Sequence, residues 1–184
     1  MARPRTVTRE DVDAVALDLF LDRGFAAVTG QQLATAAGIS RPTLYRLVGR
    51  IEDIVLDQLD GSLEDLLGAV RLSAGPPWRV LRDAFVGVLE AVEPGSPRAK
   101  ALTVLQRNPD IRADALRMTR PVRLRLAGVL ADRGDYGGDA ALCETAAALA
   151  LALLQMTIAR PDATSAMLAD AFDAAASVLG SAGE

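Results

Sequence analysis

Apolar positions along this chain recur at intervals of three and four residues, and no stretch alternates convincingly with period two, so helices are predicted throughout. Val12, Val15, Ala16, Leu19 and Phe20 share one helical face. Thr8 precedes them as an N-cap, Glu10 and Asp11 place negative charge at the positive end of the helix dipole, and Gly24 stops the run, which predicts a first helix over about 9–23. Phe25 is placed to fold back on it. A long stripe (Ile54, Val55, Gln58, Leu59, Leu63, Leu66, Leu67, Val70) predicts a helix over about 51–73, with Gly61-Ser62 loosening its middle. Pro76-Pro77 breaks the chain there, because two successive prolines cannot continue a helix. Beyond the break the pattern predicts helices over about 78–93, 98–107, 110–119, 121–133, 139–159 and 162–179, separated by Pro- and Gly-rich turns.

The stretch between the first and the long helix is the most structured piece of local sequence. Thr29 with Gln32 three residues later forms a capping box, Leu33, Ala34 and Ala37 make an inner side, and Gly38 ends a short helix. Ile39 plugs the turn. Ser40 caps the next helix, with Pro42 in its first turn, where a missing N–H does no harm. Leu44 and Val48, four apart, face inward, which leaves Arg41, Thr43, Tyr45 and Arg46 outside. Between Gly38 and Arg50 there are three arginines and no acid. A short helix with an apolar back and a cationic, hydrogen-bonding front suits the major groove of DNA.

The chain is therefore expected to be all-α, with about nine to ten helices. A three-helix helix-turn-helix domain is expected over 1–57, its core at 29–48, joined by the long helix to a helical domain over 58–184. Half of the residues are apolar but only 4% aromatic, so the core is aliphatic. With no histidine and one cysteine, Cys143, neither a metal site nor Ser-His-Asp or Cys-His chemistry is expected. No glycine-rich phosphate loop is present, no cofactor is expected, and an enzyme is the weakest reading. The first ten residues, MARPRTVTRE, lack the apolar centre of a secretory signal, so a cytoplasmic protein is expected. The overall charge of −4 conceals an asymmetry: residues 1–50 carry seven Arg against five Asp or Glu, a net of +2, and residues 51–184 carry thirteen Lys or Arg against nineteen acids, a net of −6. A basic head on an acidic body is compatible with local phosphate binding. Arg3 and Arg5 around Pro4 suit an arm that enters a minor groove, or equally a solvated tail.

Residues 8–57 resemble the DNA-binding domain of the TetR family of bacterial transcription regulators. The resemblance is carried by Leu19-Phe20, Gly24-Phe25, Thr29, Leu33-Ala34, Ala37-Gly38-Ile39-Ser40, Thr43-Leu44-Tyr45 and Glu52-Asp53-Ile54. It implies that Arg41, Pro42, Thr43 and Arg46 face bases or adjacent phosphates, that Tyr45 and Thr29 bind phosphate oxygens, and that Gln31 and Thr35 do the same from the preceding helix. Two departures stand out. Leu47 and Val48 occupy positions where the family often has an aromatic pair, and Ile51 stands where a phosphate-binding lysine is usual, with Arg50 as the candidate replacement. The resemblance further implies a small-molecule effector in the body, with Trp78, Phe85, Leu105 and Met156 as candidate lining and Arg107, Arg120, Arg123 and Gln155 as candidate polar contacts. It also implies a homodimer through the last two helices, residues 139–179; independently, the nearly uniform Ala/Leu run from Ala146 needs cover on most sides. That helix is interrupted by Glu144 and Gln155 and is not expected to span a bilayer. Together these give a DNA-binding regulator, most simply a repressor released from double-stranded operator DNA by a small, largely apolar molecule. The alternative is a helical small-molecule binding protein with a degenerate DNA-binding head.

Overall fold

The computed structural model describes residues 6–117, 119–160 and 162–181. Arg3 and Arg5 lie outside the described residues. Within them the chain forms ten α-helices and two 3₁₀ turns, with no strand. The helices are α1 (Arg9–Arg23), α2 (Gly30–Ala36), α3 (Arg41–Val48), α4 (Asp53–Leu72), α5 (Pro77–Glu90), α6 (Pro97–Arg107), α7 (Pro109–Arg117), α8 (Thr119–Asp132), α9 (Ala140–Ile158) and α10 (Ser165–Ser181). They fall into two compact units, residues up to 60 with 93–111, and residues 61–92 with 112–184. Both α4 and α7 run through a boundary.

In the first unit, α1 is capped as its sequence dictates: Thr8 accepts from Asp11 N–H, and Asp11 accepts in return from the Thr8 N–H at 3.0 Å. Val12, Ala16, Leu17 and Phe20 are buried, and Phe25 folds back so that its ring centre lies 4.8 Å from that of Phe20. Residues Phe25–Ala27 form a 3₁₀ turn that leads into α2. α6 packs against α1 and therefore belongs to this unit, although it lies far along the chain. Its Ala101, Val104 and Leu105 are buried, and Lys100 reaches Asp18 on α1.

The second unit is built around α5, α8, α9 and α10. Val80, Leu81, Ala84 and Phe85 form the buried face of α5. Each such side chain contributes about 1.5–3 kcal/mol when fully buried, less for alanine. Phe172 of α10 is fully buried between Phe85 (ring centres 5.8 Å apart) and Trp78 (5.1 Å), and the Trp78 indole N–H donates to the Phe172 carbonyl at 3.1 Å. α5 ends at Glu90, three residues before the sequence pattern suggests, where Ala91 N–H closes on Gly87 O. Asp139 caps α9 by accepting from Ala141 and Leu142 N–H, as expected.

The loop before that cap is specified by glycine. Gly134, Gly137 and Gly138 all have positive φ, and Tyr136 is the one described non-glycine residue that does. A side chain there costs energy that surrounding contacts must offset. Arg133 supplies such contacts: its guanidinium donates to Asp135 at 2.8 Å, to Val70 O at 2.8 Å and to Ser73 O, which ties this loop to the end of α4. Burial and the Asp135 charge push both the Cys143 thiol and the Tyr136 hydroxyl above their ordinary pKa range.

α9 is long and apolar enough to cross a membrane by length and composition. Here it packs on α8 and α10, with Cys143, Ala146, Ala147, Ala150 and Leu151 buried, and its Glu144 pairs with Arg123 of α8 at 3.0 Å.

Candidate nucleic-acid interface

α2 and α3 form a helix-turn-helix whose turn is held by backbone geometry. Gly38 has φ +68, its N–H reaches Thr35 O, and the Ile39 N–H reaches Ala34 O. This is a complete Schellman closure, which a β-carbon at position 38 would strain. Ser40 then caps α3 by accepting from Thr43 N–H, with Pro42 in the first turn. Leu44 and Val48 are buried, so the opposite side of α3 is fixed outward.

That outward side carries Arg41, Pro42, Tyr45 and Arg46, all exposed, with Thr43 half-buried. The Arg41 guanidinium carbon lies 5.6 Å from the centre of the Tyr45 ring, a cation–π distance. Tyr45 is 37% exposed, and its hydroxyl end rests on Gly30, where a β-carbon would come within 2.4 Å of the oxygen. Gly30 is thus a steric requirement of the Tyr45 position, and nothing in its local sequence marks it as one. Its backbone φ is ordinary, so space and not conformation selects glycine here.

Thr29 is exposed but its hydroxyl is engaged in the α2 capping box with Gln32. Gln31 and Thr35 are exposed on α2 and hydrogen-bonded to each other at 3.4 Å. Arg50 is exposed beyond the end of α3 and its Nε lies 3.5 Å from Glu52, while its N–H donates to Asp53. Thr29, Gln31, Thr35, Arg41, Pro42, Thr43, Tyr45, Arg46 and Arg50 all belong to the first unit and lie on or beside α2 and α3.

The candidate effector residues are distributed differently. Trp78 and Phe85 come together, but around Phe172 as packed core. Leu105 is buried on α6 and Arg107 is exposed at its end, both in the first unit. Arg123 pairs with Glu144, Arg120 is exposed, Gln155 is half-buried, and Met156 is 70% exposed on α9. Among the described residues no group of three His, Cys, Asp or Glu side chains is placed to hold a metal.

A partly buried ionic cluster, of which only Asp13 is fully enclosed, lies behind α3. Asp13 on α1 is 6% exposed, and burial pushes its carboxyl above the usual range, although its bond and charge pairing with Arg9 act in the opposite direction. Arg9 is held above its usual range by Asp13 and Asp57 against the effect of its own burial.

Residues 14–55 match the family model described as "Bacterial regulatory proteins, tetR family". The HTH-type transcriptional regulator TcmR of Streptomyces glaucescens is 28% identical over 135 residues, which cover 68% of this chain and 60% of TcmR, so the match spans less than two thirds of that relative. The structure is similar to that of Thermus thermophilus FadR, a TetR family transcriptional repressor solved in complex with lauroyl-CoA, with 26% identity, a TM-score of 0.59, and 90% and 89% of the two chains covered. It shares the fold of the repressor AlkX from a Dietzia strain (21% identity, TM-score 0.55, 97% and 98% covered). The helix-turn-helix match places a TetR-family DNA-binding domain over residues 14–55, and the all-α architecture around it is similar to that of solved TetR family regulators.

Proposed function

We propose that this protein is a cytoplasmic, sequence-specific repressor that binds operator DNA as a homodimer and is released by a small, largely apolar molecule. The observation that carries the DNA part is the outward face of α3, where Arg41, Tyr45 and Arg46 stand exposed on a helix whose back is locked by Leu44 and Val48. Bases are read by such a face in the major groove, while flanking hydroxyls and N–H groups hold phosphates. An effector favouring a body conformation unsuited to DNA lowers affinity by its differential affinity for the two states. The aliphatic character of the body supports an apolar effector, as does the acyl-CoA bound by the Thermus FadR relative.

The dimer is supported by the open side of α9. Leu142, Thr145, Leu149, Ala152, Met156 and Ala159 are exposed and spaced alternately three and four apart. That is the seam of a helix packed against a partner helix. On α10, Ala174 and Val178 are likewise exposed. A two-fold dimer presents two reading helices to half-sites about 34–36 Å apart.

Fluorescence anisotropy against the DNA upstream of the protein's own gene, with scrambled DNA as control, tests the reading. Selection from random DNA covers an operator elsewhere. Preferential binding with a steep salt dependence is the expected result, and equal weak binding to every sequence after selection overturns it.

The contact between Gly30 and Tyr45 yields a second test. Gly30→Ala is expected to change Tm by only a few degrees, since what the added methyl displaces is the far end of a partly exposed side chain. It displaces the Tyr45 hydroxyl, so operator affinity should fall roughly tenfold, about 1.4 kcal/mol. Thermal melts and anisotropy on the same preparation check both halves. Unchanged affinity would mean that the Tyr45 hydroxyl position does not matter for DNA.

A further inference from the structure

Arg9, at the first position of α1, makes three contacts that unite three helices of the first unit. Its Nε donates to Asp13 Oδ1 at 2.8 Å, its Nη2 to Asp57 Oδ2 of α4 at 2.8 Å, and its Nη1 to the carbonyl oxygen of Leu47 at 3.1 Å. The other Asp13 oxygen accepts from Gln58 of α4 at 3.2 Å. Leu47 lies in the last turn of α3, where Gly49 N–H already closes on Tyr45 O. The last carbonyls of a helix have no intrahelical donor and carry the negative end of its dipole, so a cation placed there both donates a hydrogen bond and is attracted.

We infer that Arg9 is a positioning residue for DNA reading: its guanidinium caps the C-terminal end of the recognition helix from α1 and pins it to α4. The inference rests on the proposed role of α3 as the DNA-reading helix. The three contacts are unequal. Asp57 is half exposed, and such a pair contributes little by itself. Asp13 is buried and becomes an unpaired buried charge if Arg9 is removed, and Leu47 O loses its cap. Lysine cannot replace arginine here, because three acceptors in different directions need the planar fork of N–H donors. Since the described contacts turn those donors toward the protein, Arg9 acts through α3 and not as a phosphate ligand.

The test uses the full chain as wild type, Arg9→Lys, Arg9→Ala, and Arg46→Ala as a control at the DNA-facing surface. Without DNA, amide hydrogen exchange is read at Val48 and Gly49, with amides of α5 and α9 as internal references. In Arg9→Lys the α3 end should exchange roughly tenfold faster while α5 and α9 keep wild-type rates. Unchanged exchange at Val48 and Gly49 overturns the capping role. With selected operator DNA, Arg9→Lys should bind roughly tenfold more weakly with the wild-type salt slope. In Arg9→Ala, which removes the charge, a slope lower by about one unit for each phosphate no longer neutralised would identify Arg9 as a phosphate ligand and overturn the inference. Wild-type affinity in a variant that melts earlier would reduce Arg9 to a stability role and overturn it as well. Should Arg9→Ala fail to fold, Arg9→Gln supplies the salt slope and Arg9→Lys the exchange rates and the affinity. If wild-type protein binds no selected DNA, it is the functional reading that falls, and the exchange data still decide the cap.

Discussion

Arg46→Ala is expected to abolish tight operator binding while leaving the fold and the dimer intact. The side chain is exposed on α3 and takes no part in the buried Leu44–Val48 face, so its removal should change stability by less than about 0.5 kcal/mol. In the proposed dimer its loss from DNA is felt twice, once in each half-site. A well-placed arginine contributes about 1–3 kcal/mol of base discrimination, so a dimer loses roughly 2–6 kcal/mol, on the order of thirtyfold to 10⁴-fold in affinity. If Arg46 holds phosphate instead, all sequences weaken similarly and the salt slope falls by about one for each phosphate that is no longer neutralised. Tyr45→Phe separates two parts of its neighbour: the hydroxyl goes, while the ring that faces the Arg41 guanidinium stays. Circular dichroism, light scattering and anisotropy at several salt concentrations check the set. Operator binding by Arg46→Ala equal to wild type would show that the orientation assigned to α3 is wrong.

The second large effect is expected at the α9 seam. Leu149→Glu combined with Met156→Glu places four carboxylates at the proposed two-fold interface and none in the monomer core, because both side chains are exposed while Cys143, Ala147 and Ala150 are buried. Unpaired charges removed from water cost several kcal/mol, enough to dissociate a helix-pair interface. The variant should run as a helical monomer in multi-angle light scattering. Its operator affinity should fall by roughly 10²–10⁴, the gain that linkage of two half-site contacts supplies. A variant that remains dimeric with full affinity would remove this face from the interface. A wild-type chain that is itself monomeric would remove the dimer.

The local architecture of the reading head was legible residue by residue. The Thr8 cap, the Thr29–Gln32 capping box, the Gly38 closure, the Ser40 cap and the inward Leu44–Val48 pair depend on neighbours within four positions, and such short-range chemistry is written in the chain itself; the reciprocal Asp11 bond to Thr8 was seen only in the structure. The Asp139 cap and the Phe25 return followed from the same kind of rule. Helix ends were less legible where backbone closure competes with pattern, as at Glu90, because the apolar spacing continues past the last helical bond.

What the sequence determined by itself was helical class, helix order and the identity of the outward face of α3, since periodicity and caps are local quantities. What tertiary structure decided were pairings across long separations. α6 joined α1, Phe172 met Trp78 and Phe85, Arg9 reached Leu47 and Asp57, and Gly30 made room for Tyr45. A guanidinium or a missing β-carbon has many possible neighbours in an unfolded chain. Packing brings one set of them within hydrogen-bond or van der Waals distance, and the short range of those interactions is why only the folded molecule reveals which set it is.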